Sequence, residues 1–208
     1  LRSLELPQKN SQAVLQEYII AVEETEQGVR RLEQLIQESA ADSPHAPVMQ
    51  ALQALRGVQV IAAATIVAEV GDFTRFAHPE QLMAYAGLTP REYSSGGKVR
   101  RGGITKTGSP DLRWICTQIA HSYRYAPRVA GNLAKRLEGA SPQIQAIAWK
   151  AQVRLHRKLM KLIARGKSRP VAVMAIAREL LGFVWAIAQE ANCEMAMGRR
   201  SLMSQVVV

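Results

Sequence analysis

Apolar residues at three- and four-residue steps recur in one segment of this chain after another, a period that fits α-helices and disfavours a sheet-based fold. Over residues 11–38 they are Leu15, Tyr18, Val22, Val29, Leu32 and Ile36, with Thr25 filling one slot. Such a stripe pairs with another helix, so the spacing predicts either a short coiled coil between chains or an amphipathic helix packed on its own domain. Gly28 weakens the helix, because a mid-helix glycine costs about 1 kcal/mol relative to alanine. The segment ADSPHAP, residues 41–47, ends the pattern and reads as a linker. Residues 1–45 are therefore expected to be a coiled-coil or oligomerisation helix with its linker, and residues 46–208 a second, mostly α-helical domain.

In that second part, a helical pattern through Leu52 and Leu55 reaches the turn Arg56-Gly57-Val58-Gln59-Val60, and helical spacing resumes at Ile61. Alanines 62, 63 and 64 permit close helix packing. The arrangement looks like a helix-hairpin-helix, whose tight turn aims backbone amides at a DNA phosphate, but Gln59 stands where a second glycine is expected. A short helix starts near Pro79 and stops around Gly87. Ser109, Pro110 and Asp111 supply an N-cap, a first-turn proline and a first-turn acid for the helix through Trp114, Ile115, Ile119 and Tyr123. The last helix, expected over about residues 171–190, is apolar around most of its circumference and reads as core.

Residues 87–108, GLTPREYSSGGKVRRGGITKTG, carry no helical period. They read as a long Gly-rich active loop, since irregular segments of that length inside compact domains are usually functional or disordered. Ser94 and Ser95 precede Gly96 and Gly97 and are flanked by Arg91, Lys98, Arg100, Arg101 and Lys106, with Glu92 as the one acid. Glycine admits close approach of backbone to phosphate, arginine grips phosphate oxygens in bidentate fashion, and a hydroxyl is a possible nucleophile. A solvated basic loop that binds nucleic acid without chemistry has the same composition, so both readings stand. No neighbouring His or Lys–Asp arrangement supplies a base for the serines.

Net charge is +10, and its distribution is uneven: residues 1–90 hold six basic and eleven acidic side chains, residues 91–208 twenty-one and six. Between residues 124 and 169 stand twelve basic residues and one acid, Glu138. Lys150, Arg154, Arg157, Lys161 and Arg165 recur there at helical spacing, opposite Ile144, Ala148, Ala151, Leu155, Leu159 and Leu162. One helix thus carries a basic stripe backed by an apolar one, which suits a phosphate backbone better than a merely solvated face. No run of about 18 apolar residues occurs, so no membrane partner is expected. Cys116 and Cys193 lie far apart in apolar helical contexts and read as small buried hydrophobes of a reducing cytoplasm. The four histidines are dispersed, and no metal site is expected.

Three stretches carry a resemblance to a known family: LRGVQVIAAATIVAEVGDFTRF (55–76), QLMAYAGLTPREYSSGGKVRRGGITKTG (81–108) with the DLRW helix start after it, and VAVMAIARELLGFVWAI (171–187). They resemble the C-terminal domain of the IS110-group insertion-sequence transposases, the bridge-RNA-guided serine recombinases. The resemblance implies a DNA transposase in which a serine of the Tyr93-Ser94-Ser95-Gly96 stretch attacks DNA and forms a covalent phosphoserine intermediate. It points to Ser94 as nucleophile with Ser95 as the alternative, and to Tyr93 as a packing or base-stacking residue. Implied partners are DNA, a guide RNA and further copies of the chain in a dimer or tetramer, at the bacterial nucleoid. The family also uses a RuvC-like domain whose acidic cluster holds Mg²⁺. No candidate for it is visible here, since Glu5, Glu17, Glu23, Glu24 and Glu26 lie on or beside the first helix as its solvated surface. The chain lacks an initiating Met and is expected to begin partway through a longer protein. Alone it is expected to bind nucleic acid and not to exchange strands.

Overall fold

The computed structural model describes residue 4, residues 6–95 and residues 98–206; at 93–95, 98–101 and 199–206 it describes the backbone alone. The chain divides into two compact units, Leu1–Asp42 and Ser43–Val208. The first unit is built on one helix, α1 (Lys9–Ala41), which buries none of its residues. Its apolar stripe is open to solvent, Val22 at 57% and Val29 at 49% exposure. Thr25 Oγ1 donates back to the Ala21 carbonyl at 2.7 Å, the usual way a hydroxyl is accommodated inside a helix. Arg30 pairs with Glu26 one turn earlier at 3.2 Å.

The second unit runs α2 (Ala46–Leu52), α3 (Val60–Val70), α4 (Pro79–Tyr85), β1 (Pro90–Ser95), β2 (Lys98–Ile104), α5 (Pro110–Ala120), α6 (Asn132–Glu138), α7 (Pro142–Ala164) and α8 (Arg169–Val206). Single 3₁₀ turns stand at Phe73–Arg75 and His121–Arg124. The protein is therefore mostly α-helical, with one two-stranded sheet among the described residues. The linker is shorter than ADSPHAP, because Pro47 takes a first-turn position of α2, where its missing N–H costs nothing.

Helix α8 organises this unit, packing against α2, α4, α5 and α7. Ile176, Leu180, Leu181 and Ile187 are fully buried along it. Its ordered length exceeds the expected 171–190, because helical backbone continues past the apolar core into polar residues. Residues Arg169–Gly198 are long and apolar enough to cross a membrane by length and composition, contrary to the expectation from apolar runs. Half of the apolar window is buried against protein, which is how a central core helix reads. Trp185 Nε1 donates to the Phe76 carbonyl at 2.8 Å and Gln189 Nε2 to the Phe73 carbonyl at 3.1 Å, so the polar edges of α8 are tied to the 3₁₀ turn.

The α2–α3 turn exists, with Gly57 at φ +83°. It faces inward: a Cβ on Gly57 would lie 2.8 Å from Ser122 Oγ. Beside it, the Arg56 guanidinium donates to the carbonyls of Tyr125, Ala126 and Arg128, each at 2.9 Å. Three otherwise unanswered carbonyls of an irregular segment are satisfied by one fork-shaped donor set.

Candidate nucleic-acid interface

The segment expected as an irregular loop is an antiparallel β-hairpin. Its register pairs Glu92 with Arg101, Tyr93 with Arg100, Ser94 with Val99 and Ser95 with Lys98, with an irregularity between Pro90 and Glu92. Gly96 and Gly97, between the last pair, lie outside the described residues. Because strand positions alternate between faces, the register sets positions 93, 95, 98 and 100 on one face of the ribbon and 92, 94, 99 and 101 on the other. Ser95 is thus grouped with Lys98 and Arg100, and Ser94 with Val99 and Arg101. The length of the segment suggested a loop, whereas two glycines between β-prone residues were the missed hairpin signal.

The stem of the hairpin is fixed to α4 and α5. Lys106 N–H donates to the Gly87 carbonyl at 3.1 Å and Thr105 N–H to the Thr89 carbonyl at 2.9 Å. Arg113 Nη1 reaches the Ala86 carbonyl at 2.9 Å. Ser109 caps α5 by accepting from Leu112 N–H at 3.0 Å, and its hydroxyl donates to Glu69 at 2.5 Å. Two glycines in the left-handed region make this closure possible: Gly87 (φ +64°) and Gly108 (φ +85°). Arg91 and Lys106 are exposed at the base of the hairpin, where they line one groove with Arg178 of α8. Arg91 also donates to the Thr105 carbonyl at 3.4 Å.

Helix α7 separates its two stripes as expected. Ile144, Ala148, Ala151, Leu155 and Leu159 are buried, while Leu162 is half-buried near the helix end. Lys150, Arg154, Arg157, Lys161 and Arg165 are all exposed. The first four line a common groove of about 670 Å³ with Trp149 and Val153. Arg165, at the C-terminal cap of the helix, is not among its lining residues. Two participants escaped sequence reasoning. Glu179 of α8 pairs with both Arg154 and Lys158 across the same groove. Burial opposes its charge, but hydrogen bonds from Lys158 and Arg154 outweigh that and hold its carboxyl below the usual range. A lone acid within the apolar α8 run was the available signal. One cation of the stripe, Arg154, is therefore already neutralised internally.

Among the described residues no three His, Cys, Asp or Glu side chains gather as a group that could hold a metal ion. Cys116 is buried and its thiol is pushed up to about 12 by desolvation. Cys193 is exposed on α8, contrary to its reading as a buried hydrophobe, because the helix outlasts the core it packs on.

Comparison with known proteins places this geometry in context. The family model described as "Transposase IS116/IS110/IS902 family" matches residues 49–132, from α2 through the hairpin to the start of α6. The chain is 50% identical over 152 residues to a putative transposase, y4qE, of Sinorhizobium fredii, a match covering 72% of this chain and 39% of that protein. It is 30% identical over 165 residues to a probable family 20 transposase of Pseudomonas aeruginosa, covering 79% of this chain and 41% of the relative. A transposase for insertion sequence element IS1111A of Coxiella burnetii is 40% identical over 75 residues, 36% of this chain and 20% of its own length. The chain thus spans about two fifths of the first two relatives.

Proposed function

The chain carries, at residues 49–132, a segment of the IS116/IS110/IS902 transposase family, and on that premise we propose that it is the DNA-binding, serine-bearing part of an insertion-sequence transposase acting in the bacterial cytoplasm at the nucleoid. The observation that carries the reading is the exposed cationic groove of α7, set in the same unit as a hairpin that presents two serine positions among cationic ones. In this reading α7 holds the phosphate backbone of DNA, of a guide RNA, or of both. The hairpin supplies the nucleophile. Ser95 is the stronger of the two hydroxyls, since its position is level with Lys98 and shares a face with Arg100, where positive charge would stabilise a pentavalent phosphorus. Its Oγ bonds to phosphorus as the bond from phosphorus to a deoxyribose oxygen breaks. The leaving oxygen takes up a proton, and the serine proton passes to a base of a companion RuvC-like domain. The phosphoserine so formed conserves the bond for rejoining. Lys98 and Arg100 would flank the scissile phosphate from the same face. The α2–α3 turn stays outside this contact set, because Arg56 and Gly57 are already engaged inside the unit.

The binding claim is tested by salt dependence. Log affinity for a DNA duplex should fall linearly with log salt, and Lys150→Ala, Arg157→Ala and Lys161→Ala together should flatten the slope by roughly 0.9 per lost phosphate contact. A slope near zero in the unsubstituted protein would exclude nucleic acid as the partner of this face. Helix α1, apolar on an exposed stripe, is the element we assign to self-association in a dimer or tetramer. Val22→Glu with Val29→Glu should shift the sedimentation of the chain to that of a monomer and leave its circular dichroism helical; an unchanged mass would remove α1 from the assembly.

A further inference from the structure

Trp149 projects from the solvent side of α7, 47% exposed, on a helix whose buried face is formed by aliphatic side chains and Gln152. An exposed aromatic beside a row of cations is available for stacking, and here it also borders a recess. Trp149 belongs to two adjoining depressions. On one side is the groove it shares with Lys150, Arg154 and Arg157. On the other is a recess of about 420 Å³ between α6 and α7, lined by Val129, Leu137, Glu138, Gln145 and Gln152 as well as Trp149. That volume lies within the roughly 300–1,000 Å³ usual for ligand sites.

The recess also contains an unanswered polar group. Gln152 is 1% exposed, its Oε1 accepts from the Arg128 N–H at 3.2 Å, and its Nε2 has no partner among the described residues. A buried amide donor without an acceptor costs about 1–3 kcal/mol, and a carbonyl entering the recess would answer it. Gln145 is occupied differently, its Nε2 donating to the Leu137 and Ala140 carbonyls, each at 2.9 Å. An aromatic plane, a neighbouring donor and the cations Lys150, Arg157 and Lys161 of the adjoining groove offer what an unpaired nucleotide requires: stacking for the base, a hydrogen bond to its edge, and charge for the phosphates on either side.

We propose that Trp149 is a stacking platform for an unpaired nucleotide, whose base enters the α6–α7 recess beside Gln152 while its strand follows the cationic groove of α7. The proposal rests on the reading of α7 as a nucleic-acid face and specifies that this face takes single strand in preference to duplex. A base inside a duplex is held by its pair and its stack and cannot reach the recess. A guide RNA loop and a displaced DNA strand share the required chemistry.

The test uses the whole chain with fluorescent 12-nucleotide oligouridylate, 12-nucleotide oligothymidylate and a 12-base-pair DNA duplex, across a salt series. Trp149→Leu should weaken single-strand binding about ten-fold or more, leave duplex binding within two-fold, and keep the salt slope, because no cation is lost. Trp149→Phe should retain most of the affinity. Tighter binding of oligouridylate identifies an RNA loop as the source, and equal binding a single strand of either kind. A Trp149→Leu protein that binds single strand as well as the unsubstituted one overturns the proposal, as does an equal loss on duplex. A salt slope near zero before any substitution would instead overturn the underlying reading of α7. Trp149 is only about half buried, so both variants are expected to keep the melting curve of the unsubstituted protein, and an unchanged curve keeps these outcomes separable from misfolding.

Discussion

In a complete transposase assembled with guide RNA, Mg²⁺ and a nicked DNA target that traps intermediates, Ser95→Ala is expected to abolish the covalent protein–DNA adduct. Strand exchange should fall by at least about 10⁴-fold, because a reaction through a covalent intermediate has no route without its nucleophile. DNA affinity should stay within about two-fold, since one uncharged hydroxyl contributes little beside a row of cations. Peptide mass spectrometry of the unsubstituted protein should place the adduct within the β1–β2 hairpin. Ser94→Ala is expected to reduce the rate far less. Our order of the two rests on the register, in which position 95 pairs with Lys98 at the end of the paired strands and position 94 with Val99. If Ser94→Ala abolishes the adduct and Ser95→Ala does not, the nucleophile is Ser94. If DNA is cut with no adduct on either serine, the hairpin is a binding element and the covalent mechanism is wrong.

The second large effect is on stability. Gly108→Ala should lower the unfolding free energy by on the order of 4 kcal/mol and the melting temperature by roughly 10 °C. Two causes combine. The backbone at Gly108 sits at φ +85°, which costs any other residue, and a Cβ there would stand 1.8 Å from the Tyr85 carbonyl oxygen, a backbone atom that cannot swing away. Gly87→Ala meets the same obstacle from the other side, 2.0 Å from the Thr107 carbonyl oxygen. Gly103→Ala is the control. Nothing lies within 4 Å of its added Cβ, so its melting temperature should barely change. If Gly108→Ala melts like Gly103→Ala, the hairpin stem is not clamped in the way described.

These two residues also mark where the sequence ceased to be sufficient. Periodicity by itself determined the helices: the stripe on α7 from Ile144 to Leu159 is buried as its spacing requires, and Ser109 caps α5 from the position its neighbours Pro110 and Asp111 indicate. Helical order is local, set by residues three and four apart, and is therefore legible in a linear text. The cationic row of α7 was legible for the same reason. Pairing was not. Residues 87–108 gave no helical signal and read as a loop; the two-glycine turn was a local hairpin signal that was missed, while the attachment of the stem to Tyr85 joins residues well apart along the chain. The pairing of Glu179 with Arg154 and Lys158, the inward turn at Arg56 and Gly57, the exposure of Cys193, and the recess that joins Trp149 to Gln152 arise in the same way. Each depends on how whole elements pack side by side, and only the tertiary packing decides which surfaces meet and which stay open.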